Sequence, residues 1–401
     1  MSRKKIVFIP GETYPIPPVN GGAVESLIYS LIVENEIRQE YDFVVYSKYD
    51  EEAERASKNL KYTCVRYVKN AHLGYKIKYF LRGVLNRFLG RIAYFGNSYI
   101  ETIFKDSCSK DAFAVVVENV PIYAISVRKY TRAKIYLHCH NLYSCSRFPY
   151  LNQRVFESTD CFWGISDFVC KDILARSKEF CQNSIKVETF YNCYDANNAL
   201  YDSRVCVNSE ILNRYRIPHG KKMFVFAGRI QPYKGVKELL TAFMNVKRDD
   251  CVLVVVGGTF FKNSPDDDYV RELKEMAFLR KDVFFTGYVS HDDLLSLYRN
   301  AYAAVVPSLW EEPFALTCLE PMACSIPVII SDAGGMPEVV DGMSSIVVKR
   351  CADFIEGLTK AIQDISENVA LRNEMGLAAK KRSENFSSKK YYARFGELVN
   401  I

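Results

Sequence analysis

The stretch Ala304–Asp332 reads AVVPSLWEEPFALTCLEPMACSIPVIISD, and it decides the fold. The apolar run Ala303–Pro307 predicts a strand, Ala315–Cys324 predicts a helix, and Pro327–Ile330 predicts a second strand. A strand, a helix and a strand of these lengths form a βαβ crossover between parallel strands. Strands and helices alternate in the same way along most of the chain, so we expect an α/β protein with doubly wound parallel sheets.

Two carboxylates, Glu312 and Glu320, flank the turn between the first strand and the helix of this stretch. Ligands of open α/β sheets bind beyond the carboxyl ends of strands, and a helix that begins there offers free backbone N–H groups to an anion. Carboxylates accept hydrogen bonds from hydroxyl groups. A ligand that combines phosphate with several hydroxyls, such as a sugar nucleotide, fits this pattern.

The composition is that of an ordinary soluble protein, with 49% hydrophobic and 25% charged residues in 401. That length favours two domains. The segment Lys4–Pro10 reads as a first strand and not as a signal peptide, and no apolar run is long enough to span a bilayer. Thirteen cysteines without a CxxC pattern indicate reduced thiols, so we expect a cytoplasmic protein.

The formal charge of +6 belongs to the first half of the chain and is concentrated in Arg66–Arg91, which has seven Lys or Arg and no acid. Leucine, phenylalanine and tyrosine recur there at helical spacing. One interpretation is an amphipathic surface for anionic lipid or a phosphorylated acceptor; the other is an ordinary solvated helix face. No nucleic-acid-binding motif accompanies the charge, so nucleic acid is not an expected partner.

Three other sequence patterns each have two interpretations, one purely structural and one functional. The Gly21-Gly22 loop, between a strand and a helix, suits close approach to a pyrophosphate but is also typical of a turn. His138 and His140 share one face of a strand, yet no acidic pattern follows them, so no metal is expected. The acidic run Asp266–Asp268 follows a loop and is interpreted as a solvated turn.

The segment GRIQPYKG places Arg229 and Lys234 on either side of a loop that follows a strand and opens a helix. An arginine fork and a lysine point charge suit a diphosphate. The alternative is a pair of ordinary surface cations. The combination with Glu312 and Glu320 favours the diphosphate, since both loops would lie at carboxyl ends of strands in one sheet.

The segments GRIQPYKGVKELLTAF and PSLWEEPFALTCLEPMACSIPVIISDAGGMPEVV resemble the signature of the family-4 retaining glycosyltransferases. The spacing of Glu312 and Glu320, the Gly21-Gly22 loop, the strand that ends at His140 and the segment YNCYD at 191–195 also match. The resemblance implies a GT-B fold, with two Rossmann-like domains facing a cleft. It implies an acceptor domain over residues 1–200, a nucleotide-sugar domain over residues 201–385, and a final helix, 386–401, that packs back on the first domain.

The resemblance also implies roles for individual residues. Arg229 and Lys234 would neutralise the donor diphosphate, Glu312 would bind hydroxyls of the donor sugar, and Glu320 would bind the ribose. His140 would lie beside the transferred sugar. The remaining donor contacts would come from Gly22 beside the diphosphate, Tyr288 and Val289 beside the base, and the backbone around Phe314, Ala315, Leu316 and Thr317.

We therefore predict a metal-independent, retaining hexosyltransferase with a glycan or lipid-linked acceptor, acting in surface polysaccharide or glycoconjugate synthesis. It would be cytoplasmic and peripheral on the inner face of the membrane. The alternatives are a non-catalytic sugar-nucleotide or glycan-binding protein and a sugar-nucleotide epimerase of GT-B fold. Ala315 replaces a glycine that is frequent in the family, and Pro321 replaces an alanine, so the predicted helix would begin late or kink.

Overall fold

The computed structural model describes residues 3–68, 73–89, 97–143, 149–181, 184–202, 204–205, 209–259 and 265–400, without the side chains of residues 73–76, 78–79, 86, 89 and 149. Two compact units emerge, one formed by Met1–Asn192 with Ser388–Ile401 and the other by Cys193–Ser387. No helix within the described ranges has both the length and the apolar character that crossing a membrane requires.

The first unit contains a seven-stranded sheet with the strand order β3-β2-β1-β4-β5-β6-β7, in which all paired strands are parallel. Its core strands are almost continuously apolar because helices cover both faces. The strands are β1 Lys4–Ile9, β2 Tyr41–Lys48, β3 Thr63–Val68, β4 Ala114–Glu118, β5 Lys134–Cys139, β6 Cys161–Gly164 and β7 Val187–Thr189. The helices are α1 Ala23–Arg38, α2 Glu51–Ser57, α3 Leu73–Leu89, α4 Ser98–Lys105, α5 Ile122–Val127, α6 Pro149–Ser158 and α7 Asp167–Phe180.

The second unit contains a six-stranded parallel sheet with the order β10-β9-β8-β11-β12-β13. Its strands are β8 Lys222–Ala227, β9 Cys251–Val256, β10 Val283–Gly287, β11 Ala303–Val306, β12 Val328–Ser331 and β13 Ser345–Val348. Its helices are α8 Glu210–Arg214, α9 Val236–Asn245, α10 Asp268–Met276, α11 His291–Asn300, α12 Leu316–Ala323, α13 Met336–Val339, α14 Phe354–Glu367 and α15 Val369–Ser383. The prediction of two doubly wound parallel sheets is confirmed.

Each sheet has one position where the strand order reverses, between β1 and β4 in the first unit and between β8 and β11 in the second. Loops at the carboxyl ends of these strands diverge and leave a crevice for a ligand. The loop after β8 carries Arg229, the loop after β11 carries Glu312, and β4 ends at Glu118. The topology therefore concentrates chemically active side chains at the switch point of each sheet.

The last helix, α16 Ser388–Asn400, returns to the first unit. Its buried Phe395 packs on Phe8 with 5.7 Å between ring centroids, and the Tyr392 hydroxyl donates to Asn35 Oδ1 over 2.7 Å. The first crossing between the units follows Asn192, and the Tyr194 N–H binds the carbonyl of Phe386 inside the second unit. Residues 193–200, which the sequence assigned to the first domain, thus pack with the second.

Candidate functional site

The loops after β8, β9 and β10 enclose a cavity of about 210 Å³ whose walls are mainly apolar side chains and glycine backbone. Its lining includes Arg229 together with Tyr288 and Val289, the residues expected beside a base; the rest is Ala227, Gly228, Val256, Gly257, Gly258 and Leu294. A small, mainly apolar cavity with a cation at its edge suits a planar ring attached to an anionic group.

Arg229 is exposed, and none of the residues that the structure describes forms an ion pair or hydrogen bond with its guanidinium. It follows β8 directly, at the switch point of the sheet. An arginine that is not neutralised by a neighbouring acid keeps its five N–H donors for a ligand. This position favours the anion-binding interpretation over that of a surface salt bridge.

Lys234 and Glu312 form a largely buried ion pair, with 2.5 Å between Nζ and Oε1. The Glu312 side chain is only 8% exposed and that of Lys234 19%. The Ser308 hydroxyl donates to the same carboxylate oxygen, and the ammonium lies 5.7 Å from the ring centroid of Trp310. The structure therefore joins the two loops that the sequence singled out, and it sets the orientation of the carboxylate.

Two glycines allow the backbone around this ion pair to pack closely. Gly235 has φ 73°, and a Cβ there would lie 2.0 Å from the carbonyl oxygen of Pro307. Gly334 has φ 55°, and a Cβ there would lie 2.2 Å from the carbonyl oxygen of Glu312. Only glycine accommodates both the left-handed backbone and the contact. Gly235 and Gly334 thus support the backbone on which Lys234 and Glu312 lie.

Arg350 also stabilises the loop that carries Glu312, although it was not among the residues that the sequence indicated as functional. Its guanidinium binds Glu311 Oε1 over 2.8 Å and Asp332 Oδ1 over 3.0 Å. Glu311 also accepts a hydrogen bond from the Gly334 N–H over 2.6 Å. Because these partners lie on different loops, the network limits movement of the backbone next to Glu312. Arg350 and its partners lie far apart along the chain, so no local sequence pattern indicates this network.

Helix α12 begins one residue later than expected, and its proline is accommodated. Ala315 has φ −120° and ψ 101°, an extended backbone that any residue adopts, so the missing family glycine causes no strain here. Pro321 lies inside the helix, and none of the described side chains caps the helix N-terminus. The backbone N–H groups of Leu316 and Thr317 thus stand in the first turn, where helix N–H groups lack internal partners.

Glu320, near the end of α12, is held by His291 at the start of α11, with 3.0 Å between Nε2 and Oε1. The hydrogen bond from the imidazole to Glu320 raises the pKa of His291 above its usual value. His291 was not among the residues that the sequence indicated as functional. Twenty-nine positions separate the two residues, so only the packing of α11 beside α12 reveals the contact.

The acidic run Asp266–Asp268 is already neutralised by α10. Lys274 binds Asp266 over 2.5 Å, Arg271 binds Asp268, and Asp267 caps the helix by accepting from the Val270 N–H. These carboxylates serve helix capping and ion pairs within one turn region. The geometry agrees with the interpretation of this run as a solvated turn.

In the first unit, three side chains meet at the carboxyl ends of β4 and β5. Glu118 Oε2 lies 3.0 Å from His138 Nδ1 and 2.7 Å from His140 Nε2. All three side chains are buried. The Gly21-Gly22 loop precedes α1, whose first turn carries another buried carboxyl, Glu25. The sequence analysis identified the two histidines but neither glutamate.

Burial and electrostatics set the protonation states in this cluster. Burial alone would raise the pKa of Glu118, but the two imidazoles outweigh it and lower that pKa to about 2. Burial lowers the pKa of His140 to about 4, and His138 adds to the effect. Burial raises the pKa of Glu25. At neutral pH, Glu118 is therefore ionised and His140 is neutral.

The same three side chains are the kind of group that can hold a metal ion, since their ligand atoms all lie within 4.8 Å of one another. In the structure, however, the Glu118 oxygen already accepts from both imidazoles, which satisfies the buried charge. A metal ion would have to replace both of these hydrogen bonds. That the chain needs no metal stays a prediction.

Residues 207–382 match the family described as glycosyl transferases group 1. A putative glycosyltransferase, YtcC of Bacillus subtilis, is 26% identical over 390 residues, which cover 95% of this chain and 88% of YtcC. An alpha-maltose-1-phosphate synthase of Mycobacterium tuberculosis is 30% identical over 207 residues, half of each chain.

Solved structures agree on the architecture along the whole chain. A glycosyltransferase from Rickettsia africae superposes with a TM-score of 0.77 at 17% identity, covering 100% of this chain and 98% of its own. Anabaena HepE in complex with UDP and glucose gives a TM-score of 0.73 at 17% identity, covering 99% and 100%. The protein therefore has the GT-B fold of these structures, and the match to the group 1 glycosyltransferase model lies within its second unit.

Proposed function

We propose that this protein is a family-4 retaining glycosyltransferase, which moves a hexose-type sugar from a nucleoside-diphosphate sugar to a hydroxyl of a glycan or lipid-linked glycan. Synthesis of surface polysaccharide or glycoconjugates would be its context. The group 1 domain, the similarity to YtcC over most of both chains, and the UDP and glucose bound to a protein of the same fold support this proposal.

The proposed donor site lies on the second unit. Arg229 and Lys234 neutralise the diphosphate, while Glu312 binds hydroxyls of the sugar and Glu320 those of the ribose. Tyr288 and Val289 border the base, and the backbone N–H groups near Phe314, Ala315, Leu316 and Thr317 contact the sugar or phosphate. On the first unit, His140 contacts the transferred sugar and Gly22 the diphosphate, and this unit binds the acceptor.

The ion pair between Lys234 and Glu312 is the observation that carries the proposal. A lysine ammonium has three N–H donors, and Glu312 occupies one of them. The others remain for a phosphate oxygen. On Glu312, Oε1 receives both Lys234 and Ser308, whereas Oε2 accepts no hydrogen bond from a described residue. Lys234 thus keeps N–H donors for a diphosphate, and Glu312 keeps one carboxylate oxygen for a sugar hydroxyl.

We propose that the two cations stabilise the charge that develops on the departing diphosphate. Fixed positive groups aimed at developing charge are worth several kcal/mol in a site with little water. No residue is assigned as a covalent nucleophile. The acceptor hydroxyl attacks the face that the diphosphate leaves, and a phosphate oxygen takes its proton, so the sugar keeps its anomeric configuration. The distance-based logic of paired carboxylates in glycosidases does not apply to such a reaction.

A screen of nucleoside-diphosphate sugars for release of the nucleoside diphosphate tests the assignment. Glu312→Gln removes the carboxylate charge and should lower turnover by about 100-fold, on the scale of losing one electrostatic contact at the reacting centre. Glu275→Gln, on the exposed face of α10, should leave turnover unchanged. Equal rates for Glu312→Gln and wild type would contradict the catalytic role.

Further measurements in the same screen separate the alternatives. Release of a sugar nucleotide altered only in the sugar would indicate the epimerase, and binding without turnover of any donor would indicate the non-catalytic protein. The anomeric configuration of the product tests retention. Full activity in EDTA tests independence from metal ions.

We also propose that α3 binds an anionic membrane surface, where a lipid-linked acceptor would be found. The helix exposes large apolar side chains at helical spacing on one face, namely Ile77, Phe80, Leu81, Leu85 and Phe88. Such an exposed apolar stripe is unusual for a helix of a soluble domain and typical of interfacial helices.

The charge around this helix is smaller than the sequence indicated. Arg66 pairs with Asp106 over 2.7 Å and Arg82 with Glu101 over 2.7 Å, so acids from outside the basic segment neutralise two of its seven cations. Arg87 is exposed. Lys69 and Arg91 lie outside the described residues. The side chains of Lys76 and Lys78 are likewise outside the described part, so apolar insertion and the remaining charge would both contribute to binding.

Sedimentation with phosphatidylglycerol vesicles tests this surface. In the wild type, Phe80 and Phe88 are 68% and 75% exposed and would move from water into the membrane interface. The double variant Phe80→Ser/Phe88→Ser should therefore lose most of the binding. Phe278→Ser is a matched control, since that ring is 83% exposed on the second unit. Failure of wild type to bind vesicles, or equal losses in both variants, would remove the membrane proposal.

A further inference from the structure

Glu118 lies at the last position of β4, beside the switch point of the first sheet. It is buried, and one of its oxygens, Oε2, receives two imidazole nitrogens, His138 Nδ1 at 3.0 Å and His140 Nε2 at 2.7 Å. None of the roles proposed above involves Glu118. A buried carboxylate retained at such a position needs a physical reason, since burial of a charge is costly.

The geometry determines which ring atoms carry hydrogen. A carboxylate only accepts hydrogen bonds, so both imidazole nitrogens that face it must be protonated. In a neutral His140 ring, the Nε2–H that faces Glu118 leaves Nδ1 with a lone pair. Without Glu118, a neutral imidazole could place its proton on either nitrogen.

We propose that Glu118 is a positioning residue, which fixes His140 in the Nε2–H tautomer so that Nδ1 accepts a hydrogen bond from a hydroxyl of the reacting sugar or acceptor. This inference rests on the proposed function in assigning the hydroxyl, but the proton on Nε2 follows from the contact with Glu118 alone. It makes His140 a hydrogen-bond acceptor in the reaction, and not a general acid or a cationic group.

The surroundings hold both rings in place. The His138 ring packs against Phe190 and Trp163, with centroid distances of 5.0 and 6.0 Å, and its Nε2 has no hydrogen-bond partner among the described residues. The backbone N–H of His140 donates to Asn119 Oδ1 over 3.1 Å. Because its ring is packed, His138 holds its Nδ1 against Glu118 Oε2, the same oxygen that His140 contacts. Two contacts to one oxygen limit rotation of the Glu118 carboxylate.

Histidine-selective ¹⁵N labelling with long-range ¹H–¹⁵N correlation tests the tautomer directly. The chain has only five histidines, and a His140→Gln variant assigns the signals. We expect wild-type His140 at pH 7.5 to show a protonated Nε2 and an unprotonated Nδ1. A protonated Nδ1, whether in the other tautomer or in the imidazolium, overturns the inference. This measurement uses the unmodified protein, so it needs no turnover and no stable Glu118 variant.

The catalytic consequence is tested with Glu118→Leu, which removes both acceptor oxygens. The His140 proton is then no longer held at Nε2, and kcat should fall by about 10- to 100-fold, the usual scale for losing a partner that orients a histidine. The KM for the donor should stay constant. Glu52→Gln, exposed on α2, is the control.

The two arms distinguish the possible failures. Full kcat in a folded Glu118→Leu variant would overturn the positioning role even with the expected tautomer. Absence of turnover in wild type with every donor would refute the proposed function, and the wild-type spectrum would still decide the tautomer.

Discussion

Replacement of Lys234 by methionine should destabilise the second unit, because Glu312 would lose its counter-charge. The two side chains are 19% and 8% exposed, and 2.5 Å separates the charged atoms. Removing one partner of a buried pair typically costs about 3–5 kcal/mol. Since Lys234 keeps some contact with water, we expect about 3 kcal/mol, or about 6–12 °C in Tm for a domain of this size.

A matched control is available in the same unit. Lys237 and Glu272 lie 2.6 Å apart, but their side chains are 47% and 49% exposed. An exposed pair of similar length contributes about 0–1 kcal/mol, so Lys237→Met should have little effect. The double variant Lys234→Met/Glu312→Gln should recover most of the lost stability, because no unpaired buried charge remains.

The assay can follow the second unit alone. The chain has two tryptophans, Trp163 in the core of the first unit and Trp310 beside Lys234. In a Trp163→Phe background, urea unfolding monitored by fluorescence reports on Trp310 only. Similar losses for Lys234→Met and Lys237→Met, or additive losses in the double variant, would refute the reasoning that burial of the Glu312 charge dominates.

Two further outcomes are expected. Glu320 raises the pKa of His291, so the ion pair should stabilise the fold fully below the pKa of an unfolded histidine. This stabilisation should disappear as the pH rises through the pKa of His291 in the folded protein. The Tm difference between wild type and His291→Gln should therefore be larger at pH 5.5 than at pH 9. Gly334→Ala should lower Tm by more than the equivalent of about 1–2 kcal/mol, because φ is 55° and the new Cβ would meet the carbonyl oxygen of Glu312, whereas Gly342→Ala has open space and should change Tm little.

The parts of the site that could be predicted are those that local sequence encodes. Glu312 and Glu320 stand on one turn and one helix, so their spacing is visible in a single stretch. The strands around them are apolar runs, which periodicity detects. Strand β13 escaped detection because it is short, begins with Ser345 and is only partly buried. Edge strands carry a weaker apolar signal than central ones.

Contacts between distant segments could not be predicted. The partners of Glu320 and Glu311 come from α11 and from the loop after β13, and Glu118 and the histidines come from adjacent strands whose pairing only the fold reveals. The basic segment shows the same limit: its composition indicates a strongly cationic surface, but Asp106 and Glu101 neutralise part of it. A single sequence shows which charges are present, and the fold decides which of them remain unpaired.

The difference between paired and unpaired charges predicts different roles for Lys234 and Arg229 at the proposed donor site. Lys234 and Glu312 together have no net charge, so at a distance they attract an anion weakly. Arg229 is exposed and has no acidic partner among the described residues, so it contributes a full positive charge to the approach of a diphosphate. In the proposed complex, a diphosphate in direct contact with Lys234 would gain more from that cation, because Coulomb energy rises steeply as distance and local dielectric fall. Arg229 would therefore contribute more than Lys234 to affinity and its salt dependence, and Lys234 would contribute more than Arg229 to stabilising the leaving group.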